Sequence, residues 1–231
     1  MSEHPDGMVE MVSDTVAAVG LKEVLAAGEF PSEAAWSAAP PVRFSADWRG
    51  RNEDSQRETQ VRLLWNERSL YMRFDAKFRT ITVFPDGDTD GRRDQLWDHD
   101  VCEAFLQPDP SQPRRYTEFE VAPNGFWIDL DIGPAGKSDL RSGLRRLVEI
   151  DQNNRTWSAE LAVRMDSLTP RFDPSAVWRC NFYRVEGQSE PRFYSAWQPT
   201  RTKEPNFHVP EAFGRLLFVA GPEALLPGPV Q

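Results

Sequence analysis

Cysteine and histidine are scarce in this chain, with two and three residues among 231. Cys102 and Cys180 stand far apart, which excludes a disulfide framework and a paired-cysteine zinc motif. They read as two buried thiols, or as one bridge if their strands are neighbours. Three histidines leave little material for a metal catalyst. There is no phosphate loop, dinucleotide fingerprint or Ser-His-Asp nucleophile elbow. Apolar runs are short as well: none approaches the roughly 18 residues needed to span a bilayer. Residues 1–14 carry four acids and no basic signal region. The expectation is a soluble cytoplasmic protein. Positive charge is also in deficit, at 27 Lys and Arg against 36 Asp and Glu, a net charge of −9. The arginine pairs Arg92/Arg93, Arg114/Arg115 and Arg145/Arg146 are scattered among acids. A nucleic-acid surface needs a concentrated basic patch, so that partner is excluded.

Aromatic residues are plentiful, with 8 Trp and 14 Phe, enough apolar area for a core without a partner. Residues 1–13 read as a lead, 14–220 as one domain and 221–231 as a tail. Val61, Leu63 and Trp65 alternate with polar residues, as do Leu70, Met72, Phe74 and Ala76, and residues 66–69 form the turn of that hairpin. Further alternating segments are 101–107, 116–122, 126–132, 147–150, 157–165, 179–186 and 216–219, separated by Pro, Gly, Asn and Asp clusters. Residues 15–27 suit a short helix or an edge strand, and 32–38 a helical turn that inserts Trp36. Nine to eleven strands without long helical patterns predict an all-β fold, a two-sheet antiparallel sandwich of immunoglobulin-like or jelly-roll type.

The most informative stretch is Trp97-Asp98-His99-Asp100-Val101-Cys102-Glu103, where an aromatic and an acidic turn run into a strand. A side-chain period of two puts Cys102, Ala104 and Leu106 on one face and Val101, Glu103 and Phe105 on the other, so Glu103 is expected to point away from the core. By the same reasoning Glu118, Glu120, Trp127, Asp129 and Asp131 are expected on that outward face. Asp86 to Trp97 begins D-G-D-T-D-G. Asp86, Asp88, Asp90 and Asp94 match positions of a calcium loop, but Trp97 replaces the closing glutamate, so an EF-hand is excluded and an oxygen-rich turn suited to calcium remains.

The order of WDHDVCE, YTEFEV (116–121), WSAELAVRM (157–165), WRCNFYR (178–184) and NFHVPEAFGRLLF (206–218) resembles the family 9 carbohydrate-binding modules, of the DOMON-like, immunoglobulin-like sandwiches, over roughly residues 30 to 220. The resemblance implies non-catalytic carbohydrate binding, with a sugar ring held between two aromatic planes. Trp97, with Glu103 six residues later, matches the first plane and its acid. Phe207, ahead of Pro210 and Phe213-Gly214, matches the second, where well-known sugar binders carry tryptophan. Glu120, Tyr183 and His208 join the implied ligand site. Calcium is the metal that the family often carries. Two alternatives accompany this reading. One is a glycoside-acting enzyme using a carboxylate pair among Glu103, Glu118, Glu120 and Asp129. The other is a haem-binding sandwich using Met72, His99 or His208.

Overall fold

The computed structural model describes residues 13–26 and 28–221; all but the last residue of the lead and all but the first of the tail proposed from sequence lie outside them. Thirteen strands follow one another with little helix: β1 (Thr15–Gly20), β2 (Val42–Phe44), β3 (Thr59–Trp65), β4 (Ser69–Lys77), β5 (Val101–Gln107), β6 (Tyr116–Val121), β7 (Trp127–Gly133), β8 (Gly136–Asp139), β9 (Arg145–Asp151), β10 (Thr156–Arg164), β11 (Trp178–Glu186), β12 (Phe193–Ala196) and β13 (Gly214–Val219). The longest helix among the described residues is α1 (Glu33–Ala38), whose Ser32 side chain caps it by accepting from the Ala35 N–H.

Hydrogen bonding links the strands in the order β8-β7-β6-β5-β11-β13-β1-β3-β4-β10-β9, with β12 beside β11 and β2 beside β3. This long sheet folds over on itself. Ala104, Leu106, Phe119 and Phe182 from one arm share a core with Leu63, Met72, Phe74 and Leu161 from the other, and Phe74 and Phe182 meet edge to face at 6.1 Å. The β-sandwich expected from sequence is therefore present, with Met72 sealed inside it.

The sheet is mixed, whereas a fully antiparallel one was expected. β1 runs parallel to both neighbours, pairing Val16 with Leu216 and Ala18 with Leu63. It is a central strand joining the two arms, not a helix or an edge. The β3–β4 hairpin turns where expected, because Asn66 Oδ1 accepts from the backbone N–H groups of Arg68 and Ser69.

Two further apolar clusters cover the outer faces of the sandwich. Trp36 from α1 packs with Val19, Leu64 and Tyr71 on one side. On the other, Val101, Phe105, Tyr116, Ile128, Leu130, Tyr183, Val185, Phe207 and Phe213 form a cluster on β5, β6, β7 and β11 roofed by loops. Every residue of β5 is buried as a result. This second cluster holds the candidate site.

Candidate functional site

Glu103 lies on the face of β5 that its alternation predicts, together with Val101 and Phe105. That face is closed over by loops, so Glu103 is only 2 % exposed, and the expectation of an open polar sheet face is corrected. Register brings two more carboxyls to it. Glu120 stands directly opposite Glu103, and Glu118 lies two residues along β6 on the same face. Glu118 is 3 % exposed and Glu120 is fully buried.

Burial is the main cause that pushes all three carboxyls above the ordinary glutamate value of 4.5, because desolvation disfavours the charged form. The charge of Glu118 adds to the rise at Glu103, and the charges of Glu103 and Glu118 add to that at Glu120. At Glu118 the contact with Glu120 and the charges of His208 and Lys137 pull the other way. Burial together with the two neighbouring carboxyls therefore favours the neutral form of Glu120. Glu103 Oε1, Glu118 Oε2 and both oxygens of Glu120 have no hydrogen-bond partner in the protein. Buried acceptors without donors are costly and uncommon.

Glu103 and Glu118 lie at the floor of a pocket of about 280 Å³, walled by Trp97, Leu130, Lys137, Arg192, Tyr194 and Phe207. This size is near the lower end of the ~300–1,000 Å³ of small-molecule sites. Trp97 sits in a single 3-10 turn, Leu96–Asp98. Leu96 is buried beneath it, which leaves the neighbouring indole half-exposed. Asp100 fixes this turn to the sandwich by accepting from Thr82 Oγ1 and from the Gly187 N–H, each at 2.7 Å. Arg192 clasps it from the other side, donating to the Trp97 carbonyl at 2.6 Å. The Lys137 ammonium lies 4.3 Å from the centre of the Trp97 ring, a cation–π contact.

Phe207 reaches the same pocket from a distant loop, as the sequence predicts. It is not an open platform, however, since only 9 % of it is exposed. Its ring lies flat on Tyr183 and is edged by Tyr194. Tyr183 is fully buried and does not line the pocket, which corrects its assignment as a ligand contact: it is the support behind Phe207. Glu120 is likewise sealed beneath Glu118 and Glu103. His208 does line the pocket, with Nδ1 hydrogen-bonded to the Tyr116 hydroxyl at 2.8 Å.

The strand after the glutamates is reversed from expectation. Asp129 pairs with Phe119, and Trp127 with Val121, so both lie on the inner face. There Asp129 is bound by the Arg92 guanidinium at 2.6 Å and by the Ser142 hydroxyl and N–H. It takes no part in the glutamate cluster. Ile128 and Leu130 occupy the pocket side instead, opposite Glu120 and Glu118.

Among the described residues no group of three or more His, Cys, Asp or Glu is placed to hold a metal ion, so Asp86, Asp88, Asp90 and Asp94 do not form the expected calcium cage. Arginine and tryptophan organise that loop. Arg92 donates its N–H to Asp90 Oδ1 and its carbonyl accepts from the Asp88 N–H, while the Asp90 carbonyl accepts from Trp127 Nε1 and the Arg146 guanidinium.

Lys137 and Arg192 were not found from sequence. Lys137 lies on β8, whose Gly-Lys-Ser-Asp has no apolar alternation and is exposed throughout. Arg192 follows Pro191 in a loop. The pairing of β8 with β7 brings Lys137 opposite Ile132, which only the register reveals. No helix among the described residues is long and apolar enough to cross a membrane.

An extracellular protein of Arthroderma benhamiae is 22% identical over 179 residues, covering 70% of this chain and 79% of that protein. Among solved structures, a candidate carbohydrate-binding protein from Bacteroides uniformis superposes with a TM-score of 0.68 at 15% identity, over 88% of this chain and 98% of that one. A carbohydrate binding module of family 9 from Caldicellulosiruptor kristjanssonii, solved with cellotriose, gives 0.61 at 14% identity, over 94% of this chain and 99% of that one. Both structures share this fold. With the family model matching residues 28–219, the chain belongs to the carbohydrate family 9 binding domain-like family.

Proposed function

We propose that the pocket walled by Trp97 and Phe207 binds a carbohydrate without catalysis, one sugar ring entering against the indole with its hydroxyls directed to Glu103 and Glu118. The observation that carries this reading is the pair of unsatisfied buried oxygens, Glu103 Oε1 and Glu118 Oε2, on the floor of a pocket with aromatic walls. Sugar hydroxyls supply the donors these acceptors lack, and the apolar face of a pyranose suits the half-exposed indole. Family membership and the cellotriose-bound family 9 module support the same reading.

Phe207, backed by Tyr183, is a rigid wall with little free ring face, so Trp97 carries most of the stacking. Isothermal titration with glucose and cellobiose tests the site. Trp97→Ala is expected to weaken binding about tenfold or more, the scale of one good aromatic contact. Equal binding by wild type and variant would remove the site.

The raised carboxyls also motivate a glycoside-acting reading, because a protonated glutamate can serve as a general acid. Such catalysis places its two carboxyls on either side of the scissile bond. Glu103 and Glu118 both rise from one floor, on adjacent strands. Chromogenic glycosides are therefore expected to be bound and not turned over. Turnover lost in Glu103→Gln would establish the enzyme.

A further inference from the structure

The glutamate floor holds more acceptor capacity than a neutral sugar uses. Glu103 Oε1 and Glu118 Oε2 lack a protein partner, both residues line the pocket, and among the described residues no salt bridge reaches Glu103, Glu118 or Glu120. Strand spacing of about 4.8 Å keeps Glu103 and Glu120 close across the β5–β6 pairing.

The other charged and titratable groups around the floor are largely committed. Lys137, from β8, lies over Trp97. Arg192, from the loop before β12, is bound to the Trp97 carbonyl and to Glu190. His208 is bonded to Tyr116. The Tyr183 hydroxyl donates to the Phe207 carbonyl, and the Tyr194 hydroxyl to Glu190. What the floor lacks is a cation with several donors placed on it.

We propose that the pocket prefers a saccharide bearing a protonated primary amine, whose ammonium group sits on Glu103 and Glu118. This rests on the carbohydrate reading of the pocket and narrows it to amino sugars. A hydroxyl donates one hydrogen, while an ammonium group donates three and brings a charge. Charge-assisted hydrogen bonds are about twice as strong as neutral ones, and they gain further in a site from which water is largely excluded.

The expected order is glucosamine over glucose by about tenfold or more at neutral pH, with N-acetylglucosamine returned to the level of glucose or below, because acetylation removes the charge. The preference falls as pH drops through the raised values of the carboxyls, which lie above 4.5. Protonated carboxyls no longer attract an ammonium ion.

Calorimetric titration of the full chain with glucosamine, glucose and N-acetylglucosamine at neutral and at acidic pH tests this. A glucosamine preference that shrinks on acidification supports it, as does a loss of affinity in Glu118→Gln that is larger for glucosamine than for glucose. Glucose binding with no advantage for glucosamine at neutral pH overturns the inference and leaves the carbohydrate site standing. Absence of binding by all three sugars overturns both. The comparison among sugars is made on the wild-type chain, so it holds whether or not the variant folds.

Discussion

Tyr183 lies face to face with Phe207, ring centroids 4.2 Å apart and planes 12° from parallel, and its hydroxyl donates to the Phe207 carbonyl at 3.0 Å. A side chain that the sequence suggests as a sugar contact thus works from behind. It holds both the ring and the backbone of the residue that forms the pocket wall.

Tyr183→Phe is expected to destabilise the fold by about 0.5–1.5 kcal/mol, because it removes one of the two donors to the buried Phe207 carbonyl, which keeps the Val209 N–H, and leaves Asn181 Nδ2 without one of its acceptors. Sugar affinity should fall too, although the new ring touches no ligand. Thermal denaturation and titration of the same sample separate the two effects. Unchanged affinity would mean that Phe207 holds its place unaided.

Glu120→Gln changes the pH dependence of stability. Burial raises the Glu120 carboxyl well above 4.5 in the folded protein, so the native state holds a proton that the unfolded chain releases. Stability from this group is complete below 4.5 and is lost as pH rises through the folded value. Glutamine keeps the donor and cannot ionise. The variant should match wild type in acid and gain on it toward neutral pH, within the ~0.5–3 kcal/mol typical of single substitutions. Urea unfolding across pH reads the difference, and parallel curves would reject the buried proton.

Gly214→Ala is expected to cost about 1–3 kcal/mol. A Cβ there would lie 2.5 Å from the Asp14 carbonyl oxygen and 2.6 Å from Trp197 Cη2, while the Arg215 N–H donates to that same carbonyl at 2.7 Å. The added methyl would part β1 from β13 or displace a buried indole. The melting temperature is the readout.

Cys102 and Cys180 are free and buried. β5 and β11 are neighbours, so the bridge left open by the sequence has the right strands but the wrong register. Cys102 faces Arg184, and Cys180 faces Leu106, an offset of four residues or roughly 13 Å along the strand, beyond disulfide reach. Burial pushes the Cys102 thiol up to about 12 and raises Cys180 as well. Neither should react with a thiol reagent in the native protein at mildly alkaline pH, and both should react once it is unfolded.

Much of the architecture is legible along the chain. Alternation within 59–65, 70–76 and 101–107 marks real strands, and the spacing of Trp97 to Glu103 and the Phe207 loop point to two walls that do meet at one pocket. Strands that are very short or lack apolar alternation are silent: β2, β8 and β12 were missed, and with β8 went Lys137. The Asp86–Asp94 spacing suggests calcium because ligand types repeat, yet Arg92, Arg146 and Trp127 reach that loop from elsewhere and determine its shape.

The sequence by itself determined which side chains share a face, because the alternation of a strand is local and holds wherever the strand is placed. Val101, Glu103 and Phe105 share their face for that reason. Only the tertiary structure decided what each face meets. Register between β6 and β7 put Leu130 beside Glu118 and sent Asp129 inward to Arg92. Loops from distant positions sealed the glutamates that local pattern would leave in water, since exposure is set by whatever else packs there.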